Sequence, residues 1–511
     1  MLNSLECEKI IDCLAEPLGA GWLRRCPTAP ETTEQPGAEV FRTGPQGLFR
    51  NALVQSLNDA SEVALVCSFL LADKPLAKAI LDAAQRGVRV YVLTAAEDKV
   101  SKTLADDEQF EQRMVDEHKQ LLAQLAGKVM LRSAEHLHAK FLVVDPGNPH
   151  KAHAWLSTAN FNKALVDSIE LGVKLLGDDA RALAEYFQWA FWCETQHELQ
   201  GKNRLSSVKP MQPAAPPKPA SDTVIATLKD SWHLRQRVIG MIQAARQEIL
   251  VSSYGIAADH ATMDALVQAA QRGVQVTLLT RPRPAVAPAV SRLASTPGTS
   301  ILAHDKLHAK ALVVDGQVLV MSANLETHGL DSGFEVGVLL SPQPSRLVEM
   351  TLRDWAKTFP WVYAAAAQRG DHLGDFCPAE SPLRDVKSVI ALWAMPALPS
   401  VVATDALKLQ ESPQPNIPTP KPPANQLPQQ VKVNWTVQAP RLPKGAVERL
   451  QESEKEEKTP DGKVKKIKIR VPHEPRLFDH RGQAYVLLAQ ADQETRVRQR
   501  SVELNARVVL P

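Results

Sequence analysis

Residues 137–145 read LHAKFLVVD, and residues 307–315 read LHAKALVVD. A His, a Lys two on and an Asp five further on should arise in about 0.04 cases by chance in such a chain, taking about 5% for each required residue. Two hits in one Leu-His-Ala-Lys frame therefore ask whether the flanks repeat as well, since self-similarity over a long period exposes a duplicated unit.

The flanks do repeat. ILDAAQRGVRVYVLT (80–94) precedes the first copy and LVQAAQRGVQVTLLT (266–280) the second. Both read as the end of an amphipathic helix, a Gly stop and a short apolar strand. Before each lies another apolar run, VALVCSF (63–69) and ILVSSYG (249–255), and before that a helical pattern. Downstream, STAN (157–160) answers SAN (322–324), and SIELGVKLL from Ser168 answers GFEVGVLLS from Gly333. Each half thus reads helix, strand, helix, strand, motif strand, hairpin, strand. That alternation predicts an α/β layered fold built twice.

The 511 residues suffice for two or three domains. A net charge of +2 gives no global field that would advertise an acidic partner. Of six cysteines, Cys7, Cys13 and Cys26 stand closest, but none forms a CxxC pair, so reduced, unpaired thiols are expected and no metal or other cofactor. The opening MLNSLECEKIIDC lacks an apolar signal core, and runs such as VALVCSFLLA are short of a membrane span. The expectation is a cytoplasmic protein with no transmembrane segment.

Prolines mark the boundaries. VKPMQPAAPPKPAS (208–221) parts the repeats and SPQPNIPTPKPPANQLP (412–428) follows the second; both read as extended linkers. The organisation expected is a helical extension over 1–40, a first half over 41–205, a linker at 206–222, a second half over 223–362, a connecting segment at 363–430 and a small β-rich domain over 431–511. The last carries a net charge of about +6 and includes VKVNWTV, KVKKIKIRV, AYVLLAQA and SVELNARVVLP as strands. The alternating lysines of KVKKIKIRV fit either a solvated face or a strip that docks nucleic acid or a partner.

The repeated residues carry the chemistry. Read as strands, the motifs place His138 with Lys140, and His308 with Lys310, on one face. A His beside a Lys next to a buried apolar run is costly unless an anion sits over it, and a phosphate suits both. Asn160 and Asn324 each follow a strand, where amides hold phosphate oxygens; Ser157 and Ser322 would add hydroxyls. Glu170 and Glu335 lie inside the apolar segments IELGV and FEVGV, where a carboxylate needs a partner such as an imidazole N–H.

This set, H-x-K-x4-D, then a hairpin, then a Ser/Asn pair, then Glu about ten residues on, resembles the phospholipase D superfamily over roughly Phe41–Phe359, the inter-repeat linker excepted. The resemblance implies two α/β sandwich halves about a pseudo-two-fold axis, sharing one site with His138 and His308 opposed. It implies a metal-independent phosphodiesterase with a covalent phosphohistidine. His138 is then the nucleophile and His308 the acid, Lys140, Lys310, Asn160 and Asn324 hold the phosphate, Glu170 and Glu335 orient the histidines, and Asp145 and Asp315 tie down the motif strands.

Substrate class is a further expectation. Arg281 and Arg283 follow the strand VTLLT, and Lys306 precedes the second motif, where they would track a polyanionic backbone. His150, Lys151 and His153 on the first hairpin read first as a solvated loop and only second as substrate contacts. A nuclease acting on DNA or RNA is expected, within a bacterial defence or repair complex and with a helicase or translocase as partner through the C-terminal β domain. Two other readings stand beside it: a phospholipase or phosphatidyl transferase at a membrane surface, and a complex subunit that binds nucleic acid with little turnover.

Overall fold

The structure is a computed structural model. It describes residues 17–25, 39–96, 112–368 (apart from 203, 213–214 and 229–230) and 374–389, with short strands at 2–3 and between 431 and 502. Cys7, Cys13 and Cys26 lie outside the described residues. Two units divide the chain, one of Glu31–Phe359 and one of Met1–Pro30 with Pro360–Pro511.

The Glu31–Phe359 unit holds both repeats. The first contributes β1 (Val40–Arg42), β2 (Val63–Ser68), β3 (Arg89–Ala95), β4 (Met130–Ala134), β5 (Phe141–Val144), β6 (His153–Ser157), β7 (Leu171–Leu176), β8 (His197–Gly201) and β9 (Arg204–Ser207). They hydrogen-bond in the order β9-β8-β4-β3-β2-β5-β6-β7-β1. The second contributes β10 (Val224–Leu228), β11 (Ser231–Trp232), β12 (Glu248–Ser252), β13 (Gln275–Thr280), β14 (Thr299–Ala303), β15 (Ala311–Val314), β16 (Gln317–Met321) and β17 (Glu335–Leu339), in the order β11-β10-β17-β16-β15-β12-β13-β14. From β1 through β7 and from β10 through β17, skipping the two-residue β11, the orders correspond strand for strand. In each half three strands run parallel, β2-β3-β4 and β12-β13-β14, and the motif strand joins them antiparallel.

Helices alternate with the strands along the chain. α1 (Leu48–Asp59), α2 (Lys74–Gln85), α3 (Gln112–Leu125) and α4 (Gly177–Trp189) serve the first half; α5 (His233–Ala244), α6 (Ala261–Gln271), α7 (Ala287–Ala294) and α8 (Pro342–Thr358) serve the second. Asp73 caps α2 by accepting from the Leu76 amide at 2.9 Å. The Gly stops read from QRGV are real: Gly87 and Gly273 both sit at φ 92, left-handed backbone that favours glycine. Leu53, Ile80, Val92, Leu142 and Trp155 pack in the core of the first half.

Three expectations need correction. The sequence reading omitted a helix and a strand in each half, α3 with β4 and α7 with β14. β4 (MLRSA) is five residues with two polar side chains, too short and mixed for periodicity to find. The motif's His and Lys precede the strand: β5 starts at Phe141 and β15 at Ala311. Finally, the described part of the N-terminal segment is not helical. Pro17–Arg24, rich in Gly and Pro, is a strand that pairs antiparallel with Trp361–Gln368 and with Gly374–Pro378. Residues after the second repeat supply its partners, so no local pattern announces it.

The inter-repeat segment is laid against the first half. Met211 donates its amide to the Trp192 carbonyl at 2.9 Å, and the Ala220 amide donates to the Glu185 carboxylate at 2.9 Å. In the C-terminal region, Leu450–Lys458 pairs with Val464–Pro472, Val431–Asn434 with Gln499–Val502, and Arg476–His480 with Gln483–Leu487. Two lysines of KVKKIKIRV meet an acidic strand: Lys466 and Lys468 make ion pairs of 3.3 Å with Glu454 and Glu452.

Asp145 and Asp315 close the far end of each motif strand. Both hold φ 48, a left-handed conformation that Asp tolerates better than most residues. Asp145 accepts from the amides of Ser61 (2.9 Å), Glu62 (2.7 Å) and Val63 (2.9 Å) and from the Ser61 hydroxyl (2.7 Å), which anchors the start of β2. Asp315 accepts from the amides of Arg246, Gln247 and Glu248, which lead into β12. Burial alone would raise the Asp145 carboxyl, but these four donors hold it below the usual range. Such a group stabilises the fold above its unfolded pKa, and the gain is lost as pH falls through the folded value. Asp145→Asn is expected to cost about 2–3 kcal/mol at neutral pH and much less near pH 3, read by urea unfolding at both.

Candidate active site

Just before each motif the two halves join. Leu137 bridges Phe334 and Leu307 bridges Ile169, both parallel. The His138 and Ala139 amides donate to the Phe334 carbonyl at 3.1 and 2.8 Å, and the His308 and Ala309 amides donate to the Ile169 carbonyl at 3.0 Å each. Each bridge ends one residue before a glutamate, so each motif histidine arrives beside the glutamate of the other half.

The result is a pair of crossed contacts. His308 Nδ1 lies 2.5 Å from Glu170 Oε1, and His138 Nδ1 hydrogen-bonds Glu335 Oε1. Both carboxylates are fully buried, and each accepts a second hydrogen bond from its own half: Thr158 Oγ1 donates to Glu170 Oε2 at 2.6 Å, and the Ser322 hydroxyl to Glu335 Oε2. An ionised carboxylate can only accept, so each imidazole carries its proton on Nδ1 and leaves the Nε2 lone pair for chemistry. Burial would raise both glutamates, but the neighbouring histidine and lysine hold them low: His308 and Lys310 for Glu170, His138 and Lys140 for Glu335.

The lysines lie behind the rings. Lys140 and Lys310 are 0% exposed, which is tolerable only because two carboxylates share the cluster. Lys310 Nζ donates to the His308 carbonyl at 2.5 Å and sits 2.8 Å from His308 Nδ1; Lys140 Nζ bonds the His138 carbonyl and sits 2.9 Å from His138 Nδ1. Burial pulls Lys310 down to about 7 and Lys140 to about 8, against the opposing pull of the glutamates. Burial likewise lowers both histidines, His308 to about 4. With neutral imidazoles and charged lysines the six groups sum to zero. An arriving phosphate anion then favours a proton on one imidazole.

The remaining expected residues are placed differently from one another. Asn160 is buried and its Oδ1 has no partner, whereas Asn324 is held, its Oδ1 accepting from the Gly255 amide and its Nδ2 donating to Glu326, both at 3.2 Å. Ser157 is turned inward, donating to the Ala159 carbonyl at 2.9 Å. The residue matching Ser322 is Thr158, a correspondence visible when WLSTAN is aligned with LVMSAN on its Asn. Asp145 and Asp315 sit seven residues from their histidines, roughly 20 Å along extended chain, and anchor strands rather than touch the site. The first hairpin shares that end: Lys151 Nζ reaches Ser61 Oγ at 3.2 Å and His153 Nε2 lies 3.0 Å from Ser56 Oγ.

Arg281 and Arg283 converge on a residue that the sequence reading passed over. The Arg283 guanidinium lies 3.6 Å from the centre of the Tyr254 ring and donates to Tyr254 Oη at 2.7 Å; that of Arg281 lies 5.7 Å from the ring centre. The ring packs on His308, centroids 4.5 Å apart. In the first half Phe69 takes this place against His138, at 5.3 Å. Lys306 is exposed at the bridge, where its carbonyl accepts from the Ile169 amide at 2.8 Å.

The family model described as "Cardiolipin synthase, PLD-like domain" matches residues 53–192 and 238–355, just over half of the chain. The chain belongs to the phospholipase D-like family. Its two matched regions are the two halves that meet at the crossed pairs, so this phospholipase D-like chain completes the duplicated site within itself. No curated protein matches it significantly. Among solved structures, phosphatidylserine synthase from Haemophilus influenzae is 12% identical, with a TM-score of 0.46 over 70% of this chain and 91% of that one. Nuc from Salmonella typhimurium, described as a phospholipase D family member, is 23% identical, with a TM-score of 0.24 over 26% of this chain and 94% of that one. Polyphosphate kinase from Porphyromonas gingivalis is 15% identical, with a TM-score of 0.40 over 59% of this chain; the match spans only 44% of the kinase.

Proposed function

We propose that this chain is a metal-independent phosphodiesterase that cleaves nucleic acid through a phosphohistidine. The crossed His–Glu pairs, each backed by a buried lysine, carry the reading. One Nε2 attacks phosphorus and the P–O bond to the leaving group breaks, while the other imidazole gives that oxygen a proton. The second imidazole then takes a proton from water, whose oxygen displaces the first histidine. The products are a phosphomonoester and an alcohol, and both rings return to their starting state. Lys140, Lys310, Asn160 and Asn324 are the donors for the non-bridging oxygens.

His138, the more exposed ring at 29% against 17%, is the proposed nucleophile and His308 the acid. Nucleic acid is favoured over lipid by what surrounds His308: Tyr254, Arg281, Arg283 and Lys306 place an aromatic ring and three cations along one flank, as a chain of phosphates and bases requires. Among the described residues no helix is long and apolar enough to cross a membrane.

The test is cleavage of labelled single- and double-stranded DNA and RNA in excess EDTA, beside phosphatidylglycerol and phosphatidylcholine vesicles. Polymer cleavage with untouched vesicles is expected; vesicle turnover with intact polymers would overturn the nucleic-acid reading in favour of the lipid one. The pH profile is a second expectation. Raising pH through about 7 to 8 discharges Lys310 and then Lys140, so kcat/KM, which reports the free enzyme, should fall over that range. The fall in kcat should lie at higher pH, because a bound phosphate anion holds the protons on.

A further inference from the structure

The two halves match strand for strand, yet they differ in charge around their histidines. In the register that aligns Glu170 with Glu335, Arg42 of β1 answers Ala226 of β10. Lys306 answers His136 at the bridges, Arg281 answers Ala95 at the strand ends, and Tyr254 answers Phe69. All four of these polar or cationic choices lie on the His308 side.

A cavity of about 330 Å³ opens on that side. Ile169 and Lys306, from the bridge that leads into the His308–Glu170 pair, form part of its lining, with Arg42, His304, Trp355 and Phe359. Trp355 and Phe359 stack almost parallel, 16° apart with centroids 6.1 Å apart, and the His304 ring lies 5.4 Å from Phe359. Arg42 donates through Nε to Thr351 Oγ1 at 2.9 Å and through Nη2 to Asp354 at 3.1 Å, which fixes its guanidinium. Its Nη1 is buried and has no partner. A buried N–H left unpaired is costly.

We infer that this cavity seats the base of a nucleotide flanking the scissile phosphate. The inference rests on the nucleic-acid reading and adds a base subsite to it. The volume lies at the small end of ligand pockets, room for a nucleoside but not for the two acyl chains of a phospholipid. Its lining combines aromatic rings with the fixed guanidinium of Arg42, a pairing that suits a flat heterocycle. Lys306 at the same bridge then meets the next phosphate.

A single-stranded DNA carrying one tetrahydrofuran abasic unit tests this, each bond being compared with its neighbours in the same strand. In the wild type, cleavage at a bond beside the abasic unit is expected to drop about tenfold, as loss of one stacked base implies. The dip should vanish in Arg42→Met and in Val166→Trp, the latter filling the cavity from a wall residue that makes none of the Arg42 hydrogen bonds. Hydrolysis of bis(4-nitrophenyl) phosphate, which has no base, reports whether each variant folds. Even cleavage across the abasic unit in the wild type, or a dip that survives in both variants, would overturn the subsite and leave the nuclease reading intact. Hydrolysis of bis(4-nitrophenyl) phosphate and of vesicles, with no DNA or RNA cut, would remove both.

Discussion

His138→Ala and His308→Ala are each expected to lower phosphodiester cleavage by about four to six orders of magnitude, close to the loss from removing both. The two rings act as one unit: the nucleophile forms no phosphohistidine without a proton for the leaving oxygen, and the intermediate does not turn over without a base. The variants nonetheless differ on a substrate whose leaving group needs no proton. With bis(4-nitrophenyl) phosphate, the variant that keeps the nucleophile should release about one equivalent of 4-nitrophenolate per site and then stall as an acid-labile phosphoenzyme. That burst is expected from His308→Ala and not from His138→Ala. The low proton affinity of His308 in the empty site argues for the opposite order, since a ring held neutral is the readier nucleophile. A burst from His138→Ala would therefore exchange the two roles, while no burst and unchanged turnover in both would exclude the phosphohistidine altogether.

Duplication is why so much was legible from the sequence. His138, Lys140, Glu170 and their counterparts stood out because each occurred twice in one frame, and the α/β layering followed from the repeated apolar runs around them. The structure joins these six side chains through a connection that no local pattern carries. Spacing along the chain does not say whether Glu170 serves His138 or His308, because that choice is made by the bridges at Leu137–Phe334 and Ile169–Leu307, which are single contacts with no pattern of their own. Tyr254 was missed for a related reason: it sits in an apolar run, ILVSSYG, where an aromatic residue reads as core. Arg42 was missed because its value lies in an absence, an Nη1 that no side chain meets. Pro17–Arg24 escaped because its partner strands begin more than 300 residues later.

The crossed connection has a consequence of its own for mutants. Glu170→Ala should impair the same step as His308→Ala, and Glu335→Ala the same step as His138→Ala, each with a smaller loss of about two to four orders of magnitude. Without its carboxylate, the imidazole loses the acceptor that keeps its proton on Nδ1, and Nε2 is no longer reserved for the substrate. The buried lysine also loses its counter-ion, which lowers its charged fraction further: Glu335 supports Lys140 most, and Glu170 supports Lys310 most. The nitrophenolate burst separates the cases. If the glutamates work across the halves, Glu170→Ala keeps the burst and loses the second step, whereas Glu335→Ala loses the burst. Pairing within each half would give the reverse assignment. Gln in place of either Glu should preserve the fold but not the rate, since an amide accepts the Nδ1 proton without offsetting the charge that builds on the ring. A Glu→Gln variant as active as the wild type would reduce the carboxylates to packing.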